Sequence, residues 1–162
     1  MVLVVDDDAP VLQGLRRDLS YLEPEFFIET ADSAAEAREI LDSLDASTEL
    51  ALIFCDHVMP KETGVAFLKR LKELLPVNAT APGKVLFTGQ AGHEDTIEAI
   101  NTAQIDHYLA KPWEIGDLKK ITKKLLTEFI IRRQLSPFPF AQHLDSELVE
   151  NYVREHPPEA SE

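Results

Sequence analysis

Short apolar runs alternate with amphipathic stretches along this chain, and that alternation restricts the fold more than any other feature. The runs are Val2–Val5, Phe26–Ile28, Leu50–Cys55, Val85–Phe87 and Tyr108–Ala110. Several are rich in β-branched or aromatic residues and are continuous rather than alternating, as in strands covered on both faces. Between them the apolar residues recur at three- and four-residue spacing, the period of a helix with one buried face. The stripes are Val11, Leu12, Leu15, Leu19, Leu22; then Ala37, Ile40, Leu41, Leu44; then Val65, Leu68, Leu71, Leu75; then the weaker Ile97, Ile100, Ala103; and last Ile115, Leu118, Ile121, Leu125, Phe129. The order is (βα)5. It predicts an α/β fold with a doubly wound parallel five-stranded sheet, helices on both faces and right-handed crossovers.

Boundary residues agree. Pro10 suits a first helical turn. Asp32 or Ser33 can cap the second helix and Thr63 the third. Pro76 stops the third, and Pro82-Gly83 turns the chain before the fourth strand. The last helix is expected from about Glu114 to Gln134, broken by Ser136-Pro137-Phe138-Pro139-Phe140. A short helix is expected from Ser146 to about Glu155, with Leu148, Val149 and Tyr152 as its apolar side.

Charge divides the chain and narrows its partners. The formal net charge is −13 over 162 residues. Residues 1–113 carry 20 acids and 9 bases, 114–134 carry 3 and 6, and 135–162 carry 6 and 1. This balance argues against direct nucleic-acid binding, which relies on Lys and Arg neutralising phosphates, and against anionic membranes. The basic stretch Lys119, Lys120, Lys123, Lys124, Arg132, Arg133 is read as a solvated helix face. Cys55 is the only cysteine, so a reducing compartment, the cytoplasm, is expected. No leader stretch is evident.

In an open parallel sheet, ligands bind outside the carboxyl ends of the strands. The first strand ends in Asp6-Asp7-Asp8, the third in Asp56, the fourth in Thr88-Gly89 and the fifth in Lys111-Pro112. Carboxylates gathered there repel. Two unit charges about 4 Å apart cost roughly 4 kcal/mol at an effective dielectric of ~20. A hard divalent cation with oxygen ligands, Mg²⁺ first, answers that repulsion. Lys111 adds an ammonium and Thr88 a hydroxyl. Such a set suits a phosphoryl group, and a carboxylate can itself be the nucleophile.

These residues resemble a known family, the receiver domain of bacterial two-component response regulators. The matching pieces are Val4-Val5-Asp6-Asp7-Asp8; Phe54-Cys55-Asp56-His57-Val58-Met59-Pro60 with Gly64; Val85-Leu86-Phe87-Thr88-Gly89; and Tyr108-Leu109-Ala110-Lys111-Pro112-Trp113. The resemblance implies a flavodoxin-like sheet of order 2-1-3-4-5. It implies a receiver over residues 1–130, with 131–162 a C-terminal helical extension or linker. It makes Asp56 the phosphoacceptor. Asp7, Asp56 and the backbone carbonyl of Val58 are then direct Mg²⁺ ligands, with Asp6 helping through the metal's water. Thr88 and Lys111 contact the phosphoryl oxygens. Thr88 and Tyr108 form the switch, and Lys111-Pro112 is expected to be cis. Val58 and Gln90 stand at positions that tune phosphoryl lifetime, and Val58 is expected to lengthen it.

The implied function is a phosphorylation switch fed by a cognate histidine kinase or phosphotransfer protein, with no turnover of an external substrate. A homodimer through the fourth helix, fifth strand and extended fifth helix is a further expectation, as is an output domain or downstream protein. Two alternatives stay open. One is a haloacid-dehalogenase-like phosphatase built on Asp6-x-Asp8. The other is a receiver-like interaction module that accepts no phosphate. Asp8 is expected to act as a cap or solvated residue, Cys55 to point into the core, and Trp113 to anchor packing.

Overall fold

The computed structural model describes residues 1–89 and 101–157. Five parallel strands form one sheet: β1 (Val2–Val5), β2 (Ile28–Ala31), β3 (Leu52–Cys55), β4 (Gly83–Thr88) and β5 (His107–Ala110), in the order β2-β1-β3-β4-β5. All four pairings are parallel. The described helices are α1 (Ala9–Leu19), α2 (Ala34–Asp42), α3 (Gly64–Leu74), α4 (Ile115–Arg132) and α5 (Ser146–Glu155). Of the weak fourth stripe in the sequence, Ala103 is buried; Ile97 and Ile100 lie outside the described residues, as does Gln90.

The continuous apolar runs are sorted by the pleat. Val2 and Val4 join a core with α1 and α4, whereas Leu3 and Val5 join one with α2 and α3. In β3, Leu52 and Phe54 face the first core and Ile53 and Cys55 the second. Successive side chains of a strand point to opposite faces, so only a run apolar at every position can serve both. Strand β2 begins at Ile28, after most of the apolar run that foreshadows it, and continues through Glu29 and Thr30, which are half-exposed. It is an edge strand, where polar residues cost little.

Caps fix the helix entries. The side chains of Asp8, Ser33 and Thr63 accept the N–H groups of Val11, Glu36 and Ala66. Helix α3 ends just before Pro76. Helix α4 ends earlier than the Pro-rich break. Gln134 takes a left-handed φ of 56°, while its N–H donates to the Ile131 carbonyl and that of Leu135 to Ile130, the Schellman arrangement usually built on glycine.

The chain after α4 turns back onto the body. Phe140 packs on Phe26 with centroids 5.1 Å apart. His143 and Leu144 are buried, and His143 Nε2 lies 3.1 Å from Glu25 Oε2. Asp145 donates its N–H to Thr127 Oγ1 at 2.8 Å and caps α5. In the basic stretch, Lys119, Lys120, Lys123 and Lys124 are exposed. Arg133 instead pairs with Glu49 at 2.9 Å and Arg132 donates to the Ala81 carbonyl.

Candidate functional site at the carboxyl edge of the sheet

The central strands β1 and β3 run side by side with Val5 opposite Cys55. Asp56 donates its N–H to the Val5 carbonyl at 2.9 Å, so the ladder carries Asp6 and Asp56 to adjacent places just beyond the strands. Asp6 is fully buried and Asp56 nearly so, while Asp7 is exposed. Asp6, Asp7 and Asp56 each offer a carboxylate oxygen, all within 4.8 Å of one another. Asp8 stands apart as the cap of α1, and its N–H donates to Asp6 Oδ1 at 2.9 Å.

Lys111 reaches this cluster from the end of β5. Its Nζ pairs with Asp6 Oδ2 and stands 3.4 Å from Asp56 Oδ1. The same ammonium lies 5.0 Å from the centre of the Phe87 ring, an attractive cation–π arrangement. Phe87 is fully buried, so it acts as a floor that holds the lysine at the acids. The contact carries no sequence signal, because Phe87 reads in the sequence as one more core residue. The Lys111-Pro112 bond is cis, as expected, and Glu23-Pro24 is a second cis bond.

Burial raises the Asp56 carboxyl above its usual range, and the neighbouring Asp6 charge adds to this; Lys111 opposes both. One ammonium thus faces two buried acids, and the exposed Asp7 adds a third carboxylate. Three oxygens at this spacing, open on the Asp7 side, fit a hard divalent cation that keeps part of its water. Thr88 is buried at the end of β4. The Tyr108 hydroxyl donates to the Thr88 carbonyl at 3.2 Å, and the Lys111 N–H donates to the same oxygen at 3.1 Å. Tyr108 is half-buried. Val58 is 62% exposed.

Flanking residues hold this geometry. A Cβ on Gly64 would lie 1.9 Å from the Asp56 carbonyl oxygen, so only glycine lets α3 start so close to that main chain. The Trp113 ring packs edge-on against Phe87, 5.2 Å between centroids, and its Nε1 donates to Asp18 Oδ2 at 2.9 Å. It anchors the start of α4 on α1. Cys55 is buried, and burial pushes its thiol strongly upward. This agrees with a core role and gives it no nucleophilic character.

A model of the response regulator receiver domain matches residues 2–123. This chain belongs to the response regulator receiver domain family. The hydrogenase transcriptional regulatory protein HoxA of Bradyrhizobium diazoefficiens is 32% identical over 133 residues, covering 82% of this chain and 25% of HoxA. The TorCAD operon transcriptional regulatory protein TorR of Escherichia coli K12 is 30% identical over 136 residues, covering 83% of this chain and 54% of TorR. The chain spans a quarter to about half of the length of these relatives. Among solved structures, the signal receiver domain of an HD domain-containing protein from Pseudomonas fluorescens Pf-5 superposes with a TM-score of 0.70 at 27% identity, covering 82% of this chain and 90% of that one. A response regulator receiver domain protein from Clostridium thermocellum gives 0.64 at 25% identity, covering 82% and 95%. The expected fold and its strand order hold, and the chain is a signalling module of two-component systems.

Proposed function

We propose that Asp56 is the phosphoacceptor of this receiver and that the reaction is Mg²⁺-dependent. A carboxylate oxygen of Asp56 attacks the phosphorus of a phosphohistidine on a cognate histidine kinase or phosphotransfer protein. The P–N bond breaks as the O–P bond forms, and the freed imidazole nitrogen keeps the electron pair and takes up a proton. Asp6, Asp7, Asp56 and the Val58 carbonyl would hold the metal. When bound, it neutralises carboxylate and phosphoryl charge during transfer. Lys111 pairs with a phosphoryl oxygen, and the Thr88 hydroxyl donates to another. Tyr108 senses any displacement of Thr88 through the carbonyl its hydroxyl already contacts.

The observation that carries this reading is the single lysine shared by two buried acids, with a third acid at the open side. Such a cluster needs more positive charge than Lys111 supplies. The receiver's chemistry is confined to phosphorylating and dephosphorylating itself. It acts in the cytoplasm, with neither nucleic acid nor membrane as direct partner. Among the described residues no helix is long and apolar enough to cross a membrane. The response passes to an output domain or downstream protein. It also biases a homodimer through the fourth helix of the sequence pattern, β5 and α4, with β5 the last strand of the sheet on that side.

The test is incubation with acetyl phosphate and Mg²⁺. A mass gain of one phosphoryl group is expected, and its absence in Asp56→Asn. Label on Asp6 would support the phosphatase alternative. No label, together with no beryllofluoride binding, would support the inert module.

A further inference from the structure

Arg38 on α2 grips Glu62 in the loop between β3 and α3. Its Nη1 lies 2.6 Å from Oε2 and its Nη2 2.8 Å from Oε1. The side chains are 29% and 22% exposed, unlike the open pair Arg70–Glu73. The guanidinium also sits 5.2 Å from the centre of the Phe67 ring, which is fully buried. A planar fork against a carboxylate fixes both distance and orientation, and the ring below fixes the fork. Arg38 holds the Glu62 carboxyl below its usual range.

Glu62 belongs to the short loop that leaves Asp56. The N–H of Glu62 donates to the Pro60 carbonyl and that of Gly64 to His57, both at 2.9 Å. Lys61 takes a left-handed φ of 71°, a conformation that costs a non-glycine residue roughly 1 kcal/mol or more and persists only where the surroundings impose it. Met59 tucks into the core formed with α2 and α3. Gly64 ties the far end of the loop to its start, and Arg38 holds Glu62 from a neighbouring helix. Val58, whose carbonyl the proposed metal site requires, stands between these ties.

We infer that Arg38 is a positioning residue for metal binding: through Glu62 it fixes the loop so that the Val58 carbonyl stands ready beside Asp7 and Asp56. The inference rests on the metal-dependent reading above. Charge alone makes the opposite prediction for one partner. Removing a cation near the acids would tighten Mg²⁺, and removing an anion would weaken it. Positioning requires both removals to weaken it.

The experiment is calorimetric titration of Mg²⁺ into the protein without phosphodonor, for wild type, Arg38→Met, Glu62→Gln and the double variant. Each single change is expected to raise Kd roughly tenfold, the lower end for residues that orient metal ligands. The double variant should match the singles, because one interaction is lost in all three. In metal-free protein, amide exchange over residues 58–64 should speed up in each variant. Arg38→Lys keeps the charge without the fork and should also weaken binding, which covers the case that Arg38→Met fails to fold. Tighter or unchanged Mg²⁺ binding in the Arg38 variants overturns the inference, even if thermal stability falls. Asp7→Asn separates the two levels. If it loses Mg²⁺ while the Arg38 variants do not, only the positioning role fails. If the wild type takes up no Mg²⁺, or Asp7→Asn binds it equally well, the metal reading fails and the positioning role with it.

Discussion

Asp56 is held in the fold against its own ionisation. Its folded pKa lies above the ordinary carboxylate value, because burial and Asp6 both oppose the charge. The folded state then binds its proton more tightly than the unfolded chain. The resulting stability is fully present at acid pH, and is lost as pH rises from the usual carboxylate range through the raised folded value. Metal-free Asp56→Asn should therefore melt higher than wild type at neutral pH and lose less stability between pH 4 and pH 8. Thermal unfolding across that range checks it; a variant that melts lower at pH 7 would contradict the account. At this scale the sequence was informative where a residue ends a strand or directly follows one. Asp6, Asp7, Asp56, Thr88 and Lys111 all stand near one edge because parallel strands end there together. The seat of Lys111 on Phe87 was not legible, because it depends on which face of β4 lies beneath the lysine.

Among the elements, the approach of α3 to the end of β3 is the tightest join. Alanine at residue 64 would place its Cβ inside the Asp56 carbonyl, so the loop or the helix must shift. Gly64→Ala is expected to cost about 1–3 kcal/mol, the usual range for overpacking, and to slow phosphorylation of Asp56 by acetyl phosphate. Denaturant unfolding and the labelling rate test the two effects separately. The first three helix starts were legible from Ser33, Thr63 and Pro10, whose chemistry is local. One strand end was not. Strand β2 runs on through Glu29 and Thr30 because an edge strand is held by main-chain bonds to β1, and these do not register in hydropathy. Helix α4 ends at Arg132 with a left-handed Gln134 after it, close to the expected stop at about Gln134, although the left-handed turn itself is not a preference of glutamine. The grip of Arg38 on Glu62 spans two elements 24 residues apart, a distance over which charge pattern alone carries no signal.

In the whole molecule, two apolar cores flank the sheet, and the chain beyond α4 closes over one of them. Leu144 shares a cluster with Leu15, Phe26, Phe129 and Ile130. A linker that merely trailed away would leave that cluster open, so the expected boundary after residue 130 can be tested directly. A chain ending at residue 134 should melt lower than the full chain, and Leu144→Ala should cost about 2–3 kcal/mol, as for a buried leucine elsewhere. Unchanged melting in both would mean that the segment is dispensable. The same scale gives the acidic edge its dimensions. Neighbouring strands of any sheet stand about 4.8 Å apart, and β1 and β3 deliver their acids in register. The gap between the two acidic columns is thus ruled by peptide hydrogen bonds. Substitution can change which groups line that gap, while its width belongs to the polypeptide backbone and is shared with every sheet that ends two adjacent strands in this way.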